Sequence, residues 1–184
     1  MVVRLRSMLV ALSVAATVGC AAGTAAAAAA APRPVSDGAQ LSSPDFPADG
    51  PIPTRFTCKG AGDRPTLHWS RAPSDADSIA IVVVDPDAPV RPYFVHWVVY
   101  GLPAAPSGTL GGGALPAGGR ETQNTAGKVG WKPPCPPSGT HHYHFTLYAD
   151  RGPIPAGSTA DTIAAIQKQA IAQATLTGTV AARQ

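Results

Sequence analysis

Proline and glycine make up about a quarter of the chain from Pro32 onward, where all 20 Pro and 17 of the 19 Gly lie; roughly 12% is usual. Both residues break helices, so this part of the chain cannot be mainly helical. Apolar runs at residues 79–84 and 94–100 alternate with the Pro/Gly-rich stretches, which is not the pattern of a disordered segment. We therefore expect short strands joined by many turns.

Three segments have strand-like hydrophobicity. Residues 78–84 are almost continuously apolar, which indicates a strand covered on both faces. Residues 94–100 predict a second strand, with His96, Val98 and Tyr100 on one face. Residues 141–148 alternate, so His141 and Tyr143 should share a face. Residues 102–119 predict a long excursion, and residues 121–137 show no strand signal.

The last part of the chain changes to helical spacing. Apolar residues three, four and one apart predict one helical face across residues 159–174, namely Ile163, Ile166, Ala170, Ile171 and Ala174. Ser158 followed by Asp161 resembles a capping box at the start. We expect one amphipathic C-terminal helix packed on a sheet.

The N-terminus predicts an exported protein. Residues 1–19 combine Arg4 and Arg6 with a short apolar run, as in a signal peptide. The following Cys20 resembles the lipidated cysteine of a bacterial lipobox, although Thr17 replaces the usual apolar residue; cleavage within residues 21–31 is the alternative. Residues 20–40 would then be an Ala/Pro-rich tether and residues 41–184 the working domain. We expect a cell-envelope lipoprotein or a secreted protein, held at the membrane if Cys20 is lipidated.

Charge and cysteine content bear on partners and compartment. Without Arg4 and Arg6 the net charge falls from +3 to +1, and the basic residues are scattered, so we expect no nucleic-acid partner. Besides Cys20 the chain has Cys58 and Cys135. In an oxidising compartment this pair suggests a disulfide, and two free buried thiols are the alternative.

Polar groups at predicted strand ends form three motifs: DPDAP at 85–89, HW at 96–97 and CPPSGTHHY at 135–143. In order and spacing they resemble the phosphatidylethanolamine-binding proteins, also called Raf-kinase-inhibitor-like proteins, and their bacterial branch above all. The resemblance runs from about residue 41 to the C-terminus. It implies a mainly β single domain of two antiparallel sheets with a C-terminal α-helix. It also implies a small pocket at one end of the central sheet for phosphate-like anions, including phosphoethanolamine head groups.

Seven residues correspond by motif to the family's ligand site: Asp85, Asp87, Pro89, His96, Pro137, His141 and Tyr143. An imidazolium and a phenol can both donate hydrogen bonds to phosphate. We expect Asp85 or Asp87 to bind a ligand's ammonium group, so that phosphoethanolamine binds more tightly than phosphate. The chain departs from the family at His142, where Arg is usual, and at Asp150, where an apolar residue is common.

Other functions are weighed against this binding role. A His and an Asp in one pocket could serve a hydrolase acting on a phosphate-bearing molecule, but the chain has no P-loop or nucleophile elbow. His142 and His144 have metal-ligand spacing without a completing pattern, so we predict no metal, no cofactor and no enzyme activity. The family resemblance also suggests a protease or kinase as the partner of an inhibitor.

Overall fold

The apolar segment around residue 80 becomes the centre of the larger of two sheets. The computed structural model describes residues 38–182. Six strands form the larger sheet, in the order β2 (Gly50–Pro51), β9 (Ala170–Ala181), β8 (Thr140–Asp150), β4 (Ser78–Asp85), β5 (Phe94–Pro103) and β7 (Arg120–Glu121). Three strands form the smaller one, in the order β1 (Gln40–Ser42), β3 (Leu67–Ser70) and β6 (Gly108–Leu110). The 3-10 helix Thr54–Phe56 and helix α1 (Thr159–Gln169) complete the elements.

Hydrophobic packing covers β4 on both faces, as its sequence predicts. Ile81 and Val83 belong to a cluster that also contains Trp69 of the smaller sheet. Ala80 and Val82 belong to a second cluster with Ile163 and Ile166 of α1. The larger sheet thus lies between the smaller sheet and the helix, which confirms the mainly β fold. All paired strands are antiparallel except β2 and β9, which pair in parallel.

A β-bulge in β5 breaks the predicted alternation at His96. Val83 pairs with Trp97 and Val84 pairs with Val95, so His96 is the extra residue between two ladder positions. Val95 therefore joins the helix-side cluster with Val98 and Tyr100, and the prediction that His96 shares their face is wrong. A bulge redirects the side chain that it inserts, and here it turns His96 away from the helix.

The predicted C-terminal helix is present, but it is shorter than predicted. Ser158 accepts a hydrogen bond from the Asp161 amide, so the cap forms as expected. The helix ends at Gln169, and Ala170 is already extended. Ala170, Ile171 and Ala174 belong to β9, which pairs with β8 along its length. Pairing with β8 overrides their helical spacing.

Several other expectations concern loops and the N-terminus. The excursion at residues 102–119 contains β6, which adds to the smaller sheet. The predicted signal peptide, Cys20 and the predicted tether up to residue 37 lie outside the described residues. Across residues 38–182, no helix has the length and hydrophobicity needed to cross a membrane.

Candidate functional site

A cavity of about 380 Å³ lies at one end of the larger sheet, where β4 ends and where β5 and β8 begin. The DPDAP turn, the start of β5, the segment before β8 and the start of β8 all contribute to its wall. Its lining consists of Asp85, Ala88, Pro89, Val90, Phe94, His96, Lys132, Pro133, Cys135, Pro137, His141 and Tyr143. Six of the seven predicted site residues therefore meet in one cavity.

Asp85 organises the polar floor of this cavity. It is 3% exposed, and its Oδ1 accepts hydrogen bonds from the backbone amides of Asp87 and Ala88, which fixes the DPDAP turn. Its Oδ2 lies 2.7 Å from His141 Nδ1. A carboxylate is only an acceptor, so His141 donates from Nδ1, and Nε2 is the nitrogen left for a ligand. The pair holds the imidazole in one orientation.

Tyr143 brings an unpaired hydroxyl to the cavity. Its side chain is fully buried, and its Oη has no hydrogen-bond partner among the residues that the structure describes. Burial and the nearby Asp85 charge raise the pKa of Tyr143 above its ordinary value, so the phenol keeps its proton. A buried donor without a partner is costly, which makes this hydroxyl a group suited to a ligand.

His96 reaches the cavity through the bulge in β5. Its Nδ1 lies 2.7 Å from the carbonyl oxygen of Lys132, which can only accept, so Nδ1 carries a proton. Burial lowers the pKa of His96, and the Lys132 carbonyl and Asp85 only partly oppose this. His96 is therefore neutral near pH 7 and presents Nε2 as an acceptor. Its ring packs edge-on against Tyr143, with centroids 5.1 Å apart.

The segment before β8 forms the opposite wall and includes a disulfide. Cys58 and Cys135 form a disulfide, which was one of the two alternatives left open by the sequence. Cys135 lines the cavity. Pro137 lines it as well, as Pro89 does across the cavity. The half-buried Lys132 is the one basic residue besides histidine in this lining. A basic side chain at the cavity suits a ligand with negative charge.

Several lining residues were not predicted from the sequence. Phe94 lies two positions before His96 and packs against its ring, with centroids 4.8 Å apart. Val90 is one of two large hydrophobic residues that are exposed in the described part of the chain. Their proximity to the DPDAP and HW motifs is the signal that could have identified them. They give the cavity an apolar rim around its polar floor.

The prediction that Asp87 belongs to the pocket requires correction. Its carboxylate accepts hydrogen bonds from the amide and from Nδ1 of His142, on the face of β8 that points away from His141. His142 lowers the pKa of Asp87 through these bonds. Asp87 is therefore held in an exposed pair outside the lining, because alternation along β8 puts neighbouring histidines on opposite faces.

The other chemical hypotheses concern ammonium binding, nucleophiles and metal ligands. Asp85 is the one carboxylate in the lining, and both of its oxygens already accept hydrogen bonds. The lining contains no serine, threonine or free thiol to act as a nucleophile, and Ser138 is exposed and not part of it. Within residues 38–182, no three metal-binding side chains come together.

Comparison with known proteins gives a consistent result. The sequence model described as "Phosphatidylethanolamine-binding protein" matches residues 42–181. A Mycobacterium tuberculosis protein named "Putative lipoprotein LppC" is 44% identical over 153 residues, which cover 80% of this chain and 75% of that protein. A UPF0098 protein of Methanothermobacter thermautotrophicus is 36% identical over 145 residues, covering 75% of this chain and 95% of that protein.

Two crystal structures share the fold. E. coli YbcL, described as a member of the mammalian PEBP family, superposes with a TM-score of 0.73 at 30% identity, covering 78% of this chain and 98% of YbcL. The Chlamydia trachomatis PEBP homologue CT736 gives a TM-score of 0.71 at 36% identity, covering 79% and 98%. The matched part of this chain thus spans almost the whole of both proteins.

Proposed function

This chain belongs to the phosphatidylethanolamine-binding protein family, and we propose that it binds phosphate-like anions in the cavity at the end of its larger sheet. The single observation that carries the proposal is the buried Tyr143 hydroxyl, which has no partner in the described part of the chain and faces the group formed by His141 and Asp85. This arrangement offers hydrogen bonds that the protein itself does not use.

The donors and acceptors of the cavity match a protonated phosphate. Tyr143 supplies an O–H donor, His141 presents its Nε2 nitrogen, and Lys132 supplies an ammonium group. Neutral His96 supplies an acceptor for a P–OH proton. The apolar rim leaves room for a substituent on the phosphate. Since Asp85 already accepts three hydrogen bonds from the protein, an ammonium group should gain little from it, and we expect phosphoethanolamine and phosphate to bind with similar affinity.

Replacing Tyr143 with phenylalanine tests this proposal. Y143F removes one oxygen and no protein hydrogen bond, so the melting temperature should be unchanged or higher. A bond from a phenol to a charged phosphate contributes about 1.5–3 kcal/mol, so phosphate affinity should fall about 10- to 100-fold. Calorimetry with inorganic phosphate, phosphoethanolamine and methyl phosphate measures the affinities of the parent protein and of Y143F.

The matched control is Tyr148→Phe, because Tyr148 is buried on the helix side of the same strand. This variant should bind phosphate as the parent does. Loss of stability in Y143F with unchanged phosphate affinity would show that the hydroxyl has a structural role and would contradict the proposal.

The place of action is a second part of the proposal. A relative named as a putative lipoprotein supports the inference from the sequence that the chain is exported and lipidated at Cys20. In the native host, the parent should incorporate labelled palmitate and partition into detergent, and Cys20→Ser should do neither. Equal palmitate labelling of the parent and of Cys20→Ser would exclude Cys20 as the site of lipidation. Inhibition of a protease or kinase stays a prediction.

A further inference from the structure

One wall of the anion cavity is the segment of residues 131–138. Within this segment, Cys135 lines the cavity and forms a disulfide with Cys58. This segment runs between β7 and β8 without regular structure and contributes four of the twelve lining residues: Lys132, Pro133, Cys135 and Pro137. One third of the lining therefore depends on a stretch of chain that belongs to neither sheet.

Hydrogen bonds hold only the first half of the segment. Lys132 exchanges bonds with His96 through its amide and carbonyl, and Trp131 Nε1 donates to the Gly62 carbonyl. The Pro134 carbonyl accepts from the Cys58 amide. From residue 135 to residue 138, no further backbone hydrogen bond is found within the described chain.

The sequence explains this shortage. Four of the five residues at 133–137 are proline, which has no amide proton to donate. Cys135 is the one remaining amide donor in that stretch. The second half of the segment is thus positioned mainly by the covalent bond of Cys135 to Cys58.

The partner side of the disulfide is firmly packed. Cys58 follows the 3-10 helix Thr54–Phe56, where Phe56 and Thr57 are each 2% exposed. The Thr57 amide donates to the Thr54 carbonyl, and its hydroxyl accepts from the Lys59 amide. The disulfide therefore joins a fixed turn to residues 135–138, the part of the wall without a backbone–backbone hydrogen bond in the described chain.

Cys135 also lies close to the proposed anion contact. Cys135 and Tyr143 both line this cavity. Displacement of Cys135 would therefore change the surroundings of the Tyr143 donor. Both cysteines are exposed to solvent, so a soluble reductant can reach the bond.

We propose that the Cys58–Cys135 disulfide is a redox switch that holds the anion pocket in its binding form. The inference rests on the proposed anion binding. A dithiol reductant, either a small molecule or a thiol oxidoreductase, gives two electrons and two protons to the disulfide; the products are two cysteine thiols and the oxidised reductant. Residues 135–138 are then released, and the wall opposite Asp85 and His141 loses its position.

The test compares oxidised and reduced protein in phosphate-free buffer. The full chain carries Cys20→Ser in every arm, so that no third thiol takes part in exchange. Calorimetry with inorganic phosphate, with and without dithiothreitol, should show affinity at least about tenfold weaker after reduction. The variant Cys58→Ser/Cys135→Ser should match the reduced protein and should not respond to dithiothreitol. Backbone ¹⁵N relaxation at Cys135, Ser138 and Gly139 should show greater motion on reduction without any ligand.

The outcomes separate the two proposals. Equal phosphate affinity in both redox states overturns the switch while the anion site stands. If neither state binds phosphate but residues 135–139 become more mobile on reduction, the anion function is overturned and the role of the disulfide in holding residues 135–138 is supported. Unchanged motion on reduction overturns that role.

Discussion

Replacing His141 with alanine should lower the free energy of unfolding by about 3 kcal/mol and weaken phosphate binding about 100-fold. His141 and Asp85 are 9% and 5% exposed in their side chains, and their nitrogen and oxygen are 2.7 Å apart. Removing one partner of a buried pair leaves the other charge uncompensated, which typically costs 3–5 kcal/mol. Because water can enter from the cavity and solvate Asp85, the loss of stability should lie near the lower end of this range. The ligand also loses its contact with His141 and meets the Asp85 carboxylate without its histidine partner.

The neighbouring His142 supplies a matched control. Its Nδ1 is also 2.7 Å from an aspartate oxygen, that of Asp87, but these side chains are 53% and 41% exposed. Exposed ion pairs contribute about 0–1 kcal/mol, so His142→Ala should change stability little and phosphate affinity not at all. Urea unfolding and calorimetry on both variants measure the two effects. Equal losses in both variants would contradict a special role for the buried pair.

Replacing Asp150 with asparagine should stabilise the protein, increasingly so as pH rises. Asp150 is fully buried, and neither carboxylate oxygen has a hydrogen-bond partner within the described chain. Burial raises the pKa of Asp150 from 3.8 to about 7. One pKa unit corresponds to about 1.4 kcal/mol, so about three units correspond to roughly 4 kcal/mol. Asparagine has nearly the same shape and carries no charge to bury.

The sign of this effect follows from proton binding in the two states. Between pH 3.8 and 7, folded Asp150 keeps its proton while unfolded Asp150 has lost it. The parent therefore loses stability as pH rises through this window and levels off above about pH 7. The difference between Asp150→Asn and the parent should be small near pH 4 and approach 4 kcal/mol near pH 8.

Urea unfolding at several pH values measures this difference. Asp63→Asn is the control, because Asp63 is exposed and pairs with the exposed Arg55; its effect should be small throughout. A constant difference between Asp150→Asn and the parent from pH 4 to pH 8 would show that Asp150 is not protonated in the folded protein.

The strands and motifs that form the site are visible in the sequence because they obey local rules. The apolar run of β4 and the alternation of β8 follow directly from burial on one or two faces. Asp85, His141 and Tyr143 then fall at one end of paired strands. Asp150 also stands out in the sequence, as a charged residue at a position where an apolar one is expected.

Other features depend on pairing across the sheet and could not be predicted locally. The bulge at His96 exists because β5 has one residue more than β4 between neighbouring ladder positions. The end of α1 at Gln169 is set by β8, which pairs with the residues that follow. The exposed position of Asp87 follows from hydrogen bonds to His142, more than 50 residues away. Predicting each of these three features requires knowing which distant residues pair with the segment.

The pairing of strand β9 determines when, during synthesis, the larger sheet can form. It pairs with β8 from residue 140 to residue 150 and with β2 near residue 50. The larger sheet therefore cannot be completed until the segment up to residue 181 has left the ribosome. Chains that depend on such distant pairings fold slowly, and so the newly made polypeptide should stay unfolded throughout synthesis. A chain in that state can still be threaded through a narrow secretion channel.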